Sequence, residues 1–176
     1  MKLNIVLVEP EIPQNTGNIA RTCAAIGAKL HLVKPLGFDI SEKSVKRAGI
    51  DYWDKLEIEE HENLQEFLNK YSPKENNMYL VTTKAQHTYA EKDYTNKDEV
   101  YLLFGKETKG LPEYLIQENM ENAIRIPMLP TLRSLNLSNS VAIVAYEVFR
   151  QWGFEALEET SSYFKCFWII KYKKFM

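Results

Sequence analysis

Cysteine is nearly missing from this chain: Cys23 and Cys166 are the only two in 176 residues, and neither belongs to a CxxC pair. A disulfide framework and a thiolate zinc site are therefore not expected, and a reducing compartment is. Histidine is equally sparse, and His31, His61 and His87 show no metal-ligand spacing, so no metal is expected. Long apolar runs are absent too. The opening run at residues 5–8 is far too short for a signal segment or a membrane span, and the expected location is the cytoplasm. Charge of one sign is not in excess either. A formal charge of −2 leaves no whole-protein basic field, so a nucleic-acid partner would have to meet a local patch.

What is present is an ordinary globular composition, 45% hydrophobic and 26% charged, in a length that suits one domain with a real core. Residues 3–8 read as a buried strand. Ile19, Ala20, Cys23 and Ala24 share one face of a following helix, which Asn15 or Thr16 can cap and Gly27 can end. Residues 30–33 form the next strand and 35–37 a turn. A βαβ unit of this kind implies a parallel sheet with a right-handed crossover.

Further along, residues 41–48 suggest a short charged helix and 61–71 an amphipathic one carrying Leu64, Phe67 and Leu68. Residues 78–82, 100–104 and 123–126 read as strands, and 84–99, polar and without period, as an exposed loop. Val141, Val144, Ala145, Val148, Phe149 and Trp152 recur at helical spacing, and Gly153 ends that helix. No repeat or linker interrupts this order. The expectation is one α/β domain over residues 1–154, a parallel sheet flanked by helices, followed by an atypical tail at 155–176.

Two segments carry the functional signal: LLFGKETKGLP at 102–112 and IRIPMLPTLRSLNLS at 124–138. Each runs from a short apolar strand through a Gly- or Pro-punctuated loop into a helix. In open parallel sheets, ligands bind outside the carboxyl ends of the strands. GKETKG has the GxxxxG spacing of a phosphate loop, but Leu-Pro rather than Lys-Ser/Thr follows it, which rejects that reading. The turn QNTGNIA likewise lacks GxGxxG. Gly105 and Gly110 either let backbone approach a ligand or serve as tight-turn glycines.

Together with EPEIPQNTGNIARTCAA at 9–25, and with the third segment extended to residue 143, these stretches resemble the three motifs of the SPOUT class of RNA methyltransferases. Within it they resemble the YibK/TrmL-type tRNA 2′-O-methyltransferases, in a match running from residue 3 to about 154. NxGxxxR, FGxExxGLP and RSxNLSN in that order are specific as a set. The resemblance implies a deep trefoil knot at the C-terminal side of the sheet, S-adenosylmethionine as cofactor, and a homodimer with shared active sites.

Carried over by motif position, the resemblance gives the cofactor Val81, Thr82, Gly105, Glu107, Gly110, Ile126, Met128, Ser134 and Leu135. It makes Arg21 the main catalytic residue, supported by Asn15, Asn136 and Ser138. A guanidinium is a poor base, so Arg21 either binds a substrate phosphate or hydrogen-bonds the 2′-oxygen, and both roles stay open. For Glu107 three roles stay open: a cofactor contact, fixing its own loop, and capping the helix at Pro112.

Lys43, Lys46, Arg47, Arg133 and Tyr146 are the candidate RNA contacts, although Tyr146 suits a dimer interface equally. The implied substrate is the wobble nucleotide, cytidine or modified uridine, in the anticodon stem-loop of leucine tRNAs. Alternatives are a ribosomal RNA substrate, or a non-catalytic RNA-binding or assembly protein of the same fold. The chain departs from the family pattern at Lys106, where proline is frequent, at Lys109, where arginine is, and throughout the aromatic and lysine-rich tail.

Overall fold

The computed structural model describes residues 1–39, 56–72 and 77–160. The expected helix at 41–48, the residues Lys43, Lys46 and Arg47, Cys166 and most of the tail lie outside them. Seven strands are joined in one sheet: β1 (Lys2–Val8), β2 (Lys29–Val33), β3 (Ile58–His61), β4 (Met78–Val81), β5 (His87–Thr88), β6 (Glu99–Phe104) and β7 (Ala123–Arg125). Their spatial order is β3-β2-β1-β6-β4-β7-β5, and every neighbouring pair is parallel.

Four helices among the described residues cover the sheet: α1 (Pro13–Ile26), α2 (Leu64–Lys70), α3 (Glu113–Glu118) and α4 (Leu137–Gln151). Successive side chains of a strand point to opposite faces. Leu3, Ile5 and Leu7 of β1 accordingly pack with Ile19 and Cys23 of α1 and Val144 and Val148 of α4. Val6 and Val8 pack on the other face with Phe67 of α2 and Leu115 and Ile116 of α3. Burial on both faces explains why the strand reads as a continuous apolar run rather than an alternation.

The end of α1 follows the expectation and its start does not. Gly27 adopts φ 68°, the left-handed conformation that glycine reaches at little cost. Asn15 and Thr16, however, lie inside the helix. The N-cap position belongs to Ile12, whose side chain makes no cap bond, and Pro13 opens the first turn, where its missing N–H costs nothing. On α4 the Asn136 side chain caps the helix by accepting from the Ser138 and Asn139 amides, and Gly153, at φ 68°, stands just beyond its end.

The segment at 84–99 departs from the exposed-loop expectation. It carries β5 and a 3₁₀ turn at Tyr89–Glu91, and Tyr94 within it is fully buried. Tyr94 holds the end of α4: its amide donates to Gln151 Oε1 (2.9 Å), and its carbonyl accepts from Trp152 Nε1 (2.8 Å). The expected helix at 61–71 is shorter, because His61 belongs to β3 and Asn63 caps α2. Phe154 and Leu157, at the start of the tail, pack against the core. Among the described residues, no helix is long and apolar enough to cross a membrane.

Candidate active site

A cavity of about 630 Å³ opens at the carboxyl ends of β4, β6 and β7 and the start of α4. Val81 and Thr82 reach it from β4, Gly105, Glu107 and Gly110 from the loop after β6, and Ile126, Met128, Ser134 and Leu135 from the segment after β7. All nine positions expected to meet a cofactor therefore surround one space. Asn15, Asn136 and Arg133 line it as well.

The loop after β6 folds back on itself. Gly110 N donates to Lys106 O (2.8 Å), and Gly110 takes φ 71°. A Cβ on Gly105 would fall 2.0 Å from Gly110 C and 2.1 Å from Leu111 N. Gly105 is thus required by the returning limb of its own loop. The turn packing that the sequence offered as one reading is therefore present at Gly105, which lines the cavity as well.

Three acidic side chains sew this loop to the one before α1. Glu107 accepts from Glu11 N (2.8 Å), Ile12 N (3.3 Å) and Asn15 Nδ2 (2.9 Å). Glu11 accepts from Thr108 N and Thr108 Oγ1, both at 3.0 Å. Glu9 pairs with Lys106 and holds that ammonium above its ordinary pKa. Glu107 therefore does not cap the helix at Pro112, whose N-cap lacks a side-chain bond. It sits instead at the amino end of α1, where a negative charge meets the helix dipole. Glu9, Glu11 and Thr108 were not singled out from the sequence, although the facing signs of EPE and KETK were legible there.

The chain of contacts continues into the third motif. Asn136 Nδ2 donates to Asn15 Oδ1 (2.9 Å), while Asn136 Oδ1 accepts from Ser138 N (2.9 Å) and Ser138 Oγ (2.7 Å). Both branches of the buried Asn15 amide are engaged in this way. Ser138 does not line the cavity and acts on Asn136.

Arg21, like Ser138 and Tyr146, is an expected site residue that does not line this cavity. It lies on the exposed side of α1, six residues past Asn15, or about 9 Å along the axis, and is not among the lining residues. Tyr146 is 46% exposed on α4. Ile12 and Leu135 are exposed apolar residues of the cavity lining, Ile143 is another on α4, and Leu129 and Leu132 are exposed in the segment between the lining residues Met128 and Arg133. Of the cations near the mouth, Lys84 is paired with Glu113 and Lys106 with Glu9.

Comparison with known proteins agrees with this architecture. A tRNA (cytidine(34)-2′-O)-methyltransferase of Yersinia pestis is 47% identical over 156 residues, covering 86% of this chain and 95% of that protein. A solved structure described as giving insights into the 2-OH methylation of C/U34 on tRNA superposes with a TM-score of 0.79. It is 40% identical and covers 88% of this chain and 98% of its own. An AdoMet-bound rRNA methyltransferase from Sinorhizobium meliloti superposes with a TM-score of 0.75 at 28% identity, over 85% of this chain and 56% of its own. With residues 2–146 matched by the family's model, the chain belongs to the SpoU rRNA methylase family.

Proposed function

We propose that this protein transfers a methyl group from S-adenosylmethionine to the ribose 2′-oxygen of the wobble nucleotide, cytidine or modified uridine, in the anticodon stem-loop of leucine tRNAs. The observation that carries the reading is the single cavity at the strand ends, on which all three motif segments converge. The tRNA and its position rest on the Yersinia pestis relative and on the C/U34 structure. The leucine isoacceptors rest on resemblance to the YibK/TrmL type.

The residues present fit the cofactor. The volume lies in the range of small-molecule sites. Phe104, Ile116, Ile126 and Leu135 offer apolar surface for a purine, and the loops after β6 and β7 offer backbone polar groups. When bound, S-adenosylmethionine supplies an electrophilic methyl on a sulfonium, so the reaction asks chiefly for placement of the acceptor oxygen.

Glu107, Asn15, Asn136 and Ser138 act in this reading by holding the three loops in register. Glu107 is assigned to that task because its carboxylate faces α1. Arg21 serves the nucleotide, by binding a phosphate or by donating to the 2′-oxygen as it gains charge. Since Arg21 lies off its own cavity, we assign that service to the Arg21 of a second copy, in a homodimer that buries the exposed apolar side chains at the cavity mouth.

Lys43, Lys46, Arg47, Arg133 and Tyr146 are the proposed RNA contacts. The same reading includes the trefoil knot, a methyltransferase domain over residues 1–154 with a separate tail at 155–176, and action in the cytoplasm. The family's description favours a second substrate, ribosomal RNA.

The test combines methyl-labelled S-adenosylmethionine with tRNA and rRNA from cells lacking the homologous activity, followed by digestion to nucleosides. Label in a 2′-O-methylated nucleoside at position 34 of leucine tRNA supports the proposal. Label in rRNA alone moves the substrate. Cofactor binding without any transfer leaves a binding protein of this fold.

A further inference from the structure

Toward the other edge of the sheet, β1, β2 and β3, which lie one, two and three strands from β6 at the cavity's wall, bring together a polar line. His31 and His61 stand 30 residues apart in sequence, yet their strands are parallel neighbours, so the two rings stack with centroids 5.3 Å apart. Both are buried, and Phe67 of α2 packs edge-on against each.

Asn4 sets the protonation of this line. Its Nδ2 donates to Glu99 Oε1 (3.0 Å) and to the Val100 carbonyl (3.4 Å), which leaves Oδ1 as an acceptor facing His31 Nε2 at 3.1 Å. His31 therefore carries its proton on Nε2 and presents a lone pair on Nδ1. That lone pair meets His61 Nε2 at 3.0 Å, and Glu59 Oε1 lies 3.7 Å from the same His61 nitrogen.

We propose that His31 Nδ1, His61 Nε2 and Glu59 Oε1 form a binding site for a divalent zinc ion. Among the described residues this is the one group of three such side chains whose ligand atoms lie within 4.8 Å of one another. Zinc holds nitrogen at about 2.0–2.1 Å in a tetrahedron, which separates ligand atoms by about 3.3 Å. Two of the three separations, 3.0 and 3.7 Å, lie either side of that value, and all three are within 4.8 Å.

Metal-bound imidazoles characteristically donate their other N–H to a fixed acceptor, and Asn4 Oδ1 is such an acceptor for His31. Burial keeps both rings neutral, as ligation requires. On binding, the His61 proton passes from Nε2 to Nδ1 with no net release. The Lys70 ammonium, 2.7 Å from Glu59 Oε1 and more than half exposed, withdraws to solvent. Lys29 stays on Glu59 Oε2 at 2.8 Å and steadies the carboxylate, and water completes the shell. Glu59, 21% exposed, is the way in. An ion here would staple β3 to β2, its one partner strand among the described residues.

The test uses the full chain freed of metal by a chelator and titrated with Zn²⁺ by calorimetry and with Co²⁺ by visible absorption. One ion per chain is expected, with a tetrahedral cobalt band and a raised melting temperature. Glu59→Gln, at a partly exposed position, and His61→Gln, whose amide still reaches His31, should each weaken binding at least about tenfold. Methyl transfer should be unchanged, since none of the three residues lines the cavity. Absence of binding at ~100 µM Zn²⁺, or binding undiminished in both folded variants, overturns the proposal.

Discussion

Replacing Gly105 by alanine puts a methyl group 2.0 Å from the carbonyl carbon of Gly110, 2.1 Å from Leu111 N and 2.4 Å from Gly110 O. Ordinary contact begins near 3.4 Å, so the returning limb must retreat by about 1.4 Å. It is poorly placed to do so. Gly110 N is bonded to Lys106 O, and Leu111 is 3% exposed. Overpacking costs about 1–3 kcal/mol, and loss of this turn hydrogen bond, at an exposed Gly110, adds about 0.5–1 kcal/mol. The expected loss is therefore about 3 kcal/mol, or roughly 6–12 °C in melting temperature for a chain of this size. Gly110→Ala is the internal control. Nothing lies within 4 Å of its added Cβ, and only φ 71° opposes the change, at about 1–2 kcal/mol. Thermal melts and calorimetry with S-adenosylmethionine compare the two. Gly105→Ala should be the less stable and should weaken cofactor binding at least about tenfold, because both limbs wall the cavity. A Gly105→Ala protein that melts with wild type, or above Gly110→Ala, refutes the reasoning.

Three further outcomes are expected. Arg21→Ala should bind S-adenosylmethionine normally, since Arg21 does not line the cavity, and should lose nearly all turnover if it serves the nucleotide from a second copy as proposed; normal turnover would remove it from the mechanism. Glu107→Gln should cost about 1–2 kcal/mol in urea unfolding, because an amide brings a donor where three N–H groups now converge on a half-buried carboxylate; an unchanged midpoint would sink the clamp. Burial pushes the Cys23 thiol up to about 12, so peptide mapping after iodoacetamide at pH 8 should find Cys23 unmodified until urea unfolds the chain. The same shift has a sign at high pH. The unfolded thiol ionises near 9 and the native one does not, so stability falls as pH rises through 9, by about 1.4 kcal/mol at pH 10.

The parts of the fold legible in the sequence are those whose partners are near in the chain or whose burial is continuous. β1, α1, β2 and α4 belong here, because apolar spacing alone selects them. What escaped depends on distant partners. Tyr94 looks like one tyrosine in a polar stretch until Gln151 and Trp152, nearly sixty residues on, engage its backbone. β3 carries Glu59, Glu60 and His61 and has no apolar period, since an edge strand tied by Lys29 and Lys34 can hold charge. The start of α1 misleads for a similar reason: the carboxylate at its amino end comes from position 107 and binds the Glu11 and Ile12 amides and the Asn15 side chain, with no local side chain as cap. At the cavity, the motifs located the walls after β1, β6 and β7, and the strand ending at Val81 the remaining one, while which side chains brace each other was invisible without the fold.

Asn136 has one oxygen and one nitrogen, and it has given both away. The oxygen begins α4, and the nitrogen holds Asn15 at the amino end of α1. Neither aspartate nor serine can imitate this. Aspartate keeps the oxygen but sets a second charge against Asn15 Oδ1, close to Glu107, and serine is too short for both duties. The two helices on one face of the sheet are therefore keyed to each other by a single amide at the rim of the pocket. A ligand that orders this rim should slow hydrogen exchange along α4 and α1 together, so their opening would report occupancy of a site that neither helix forms alone.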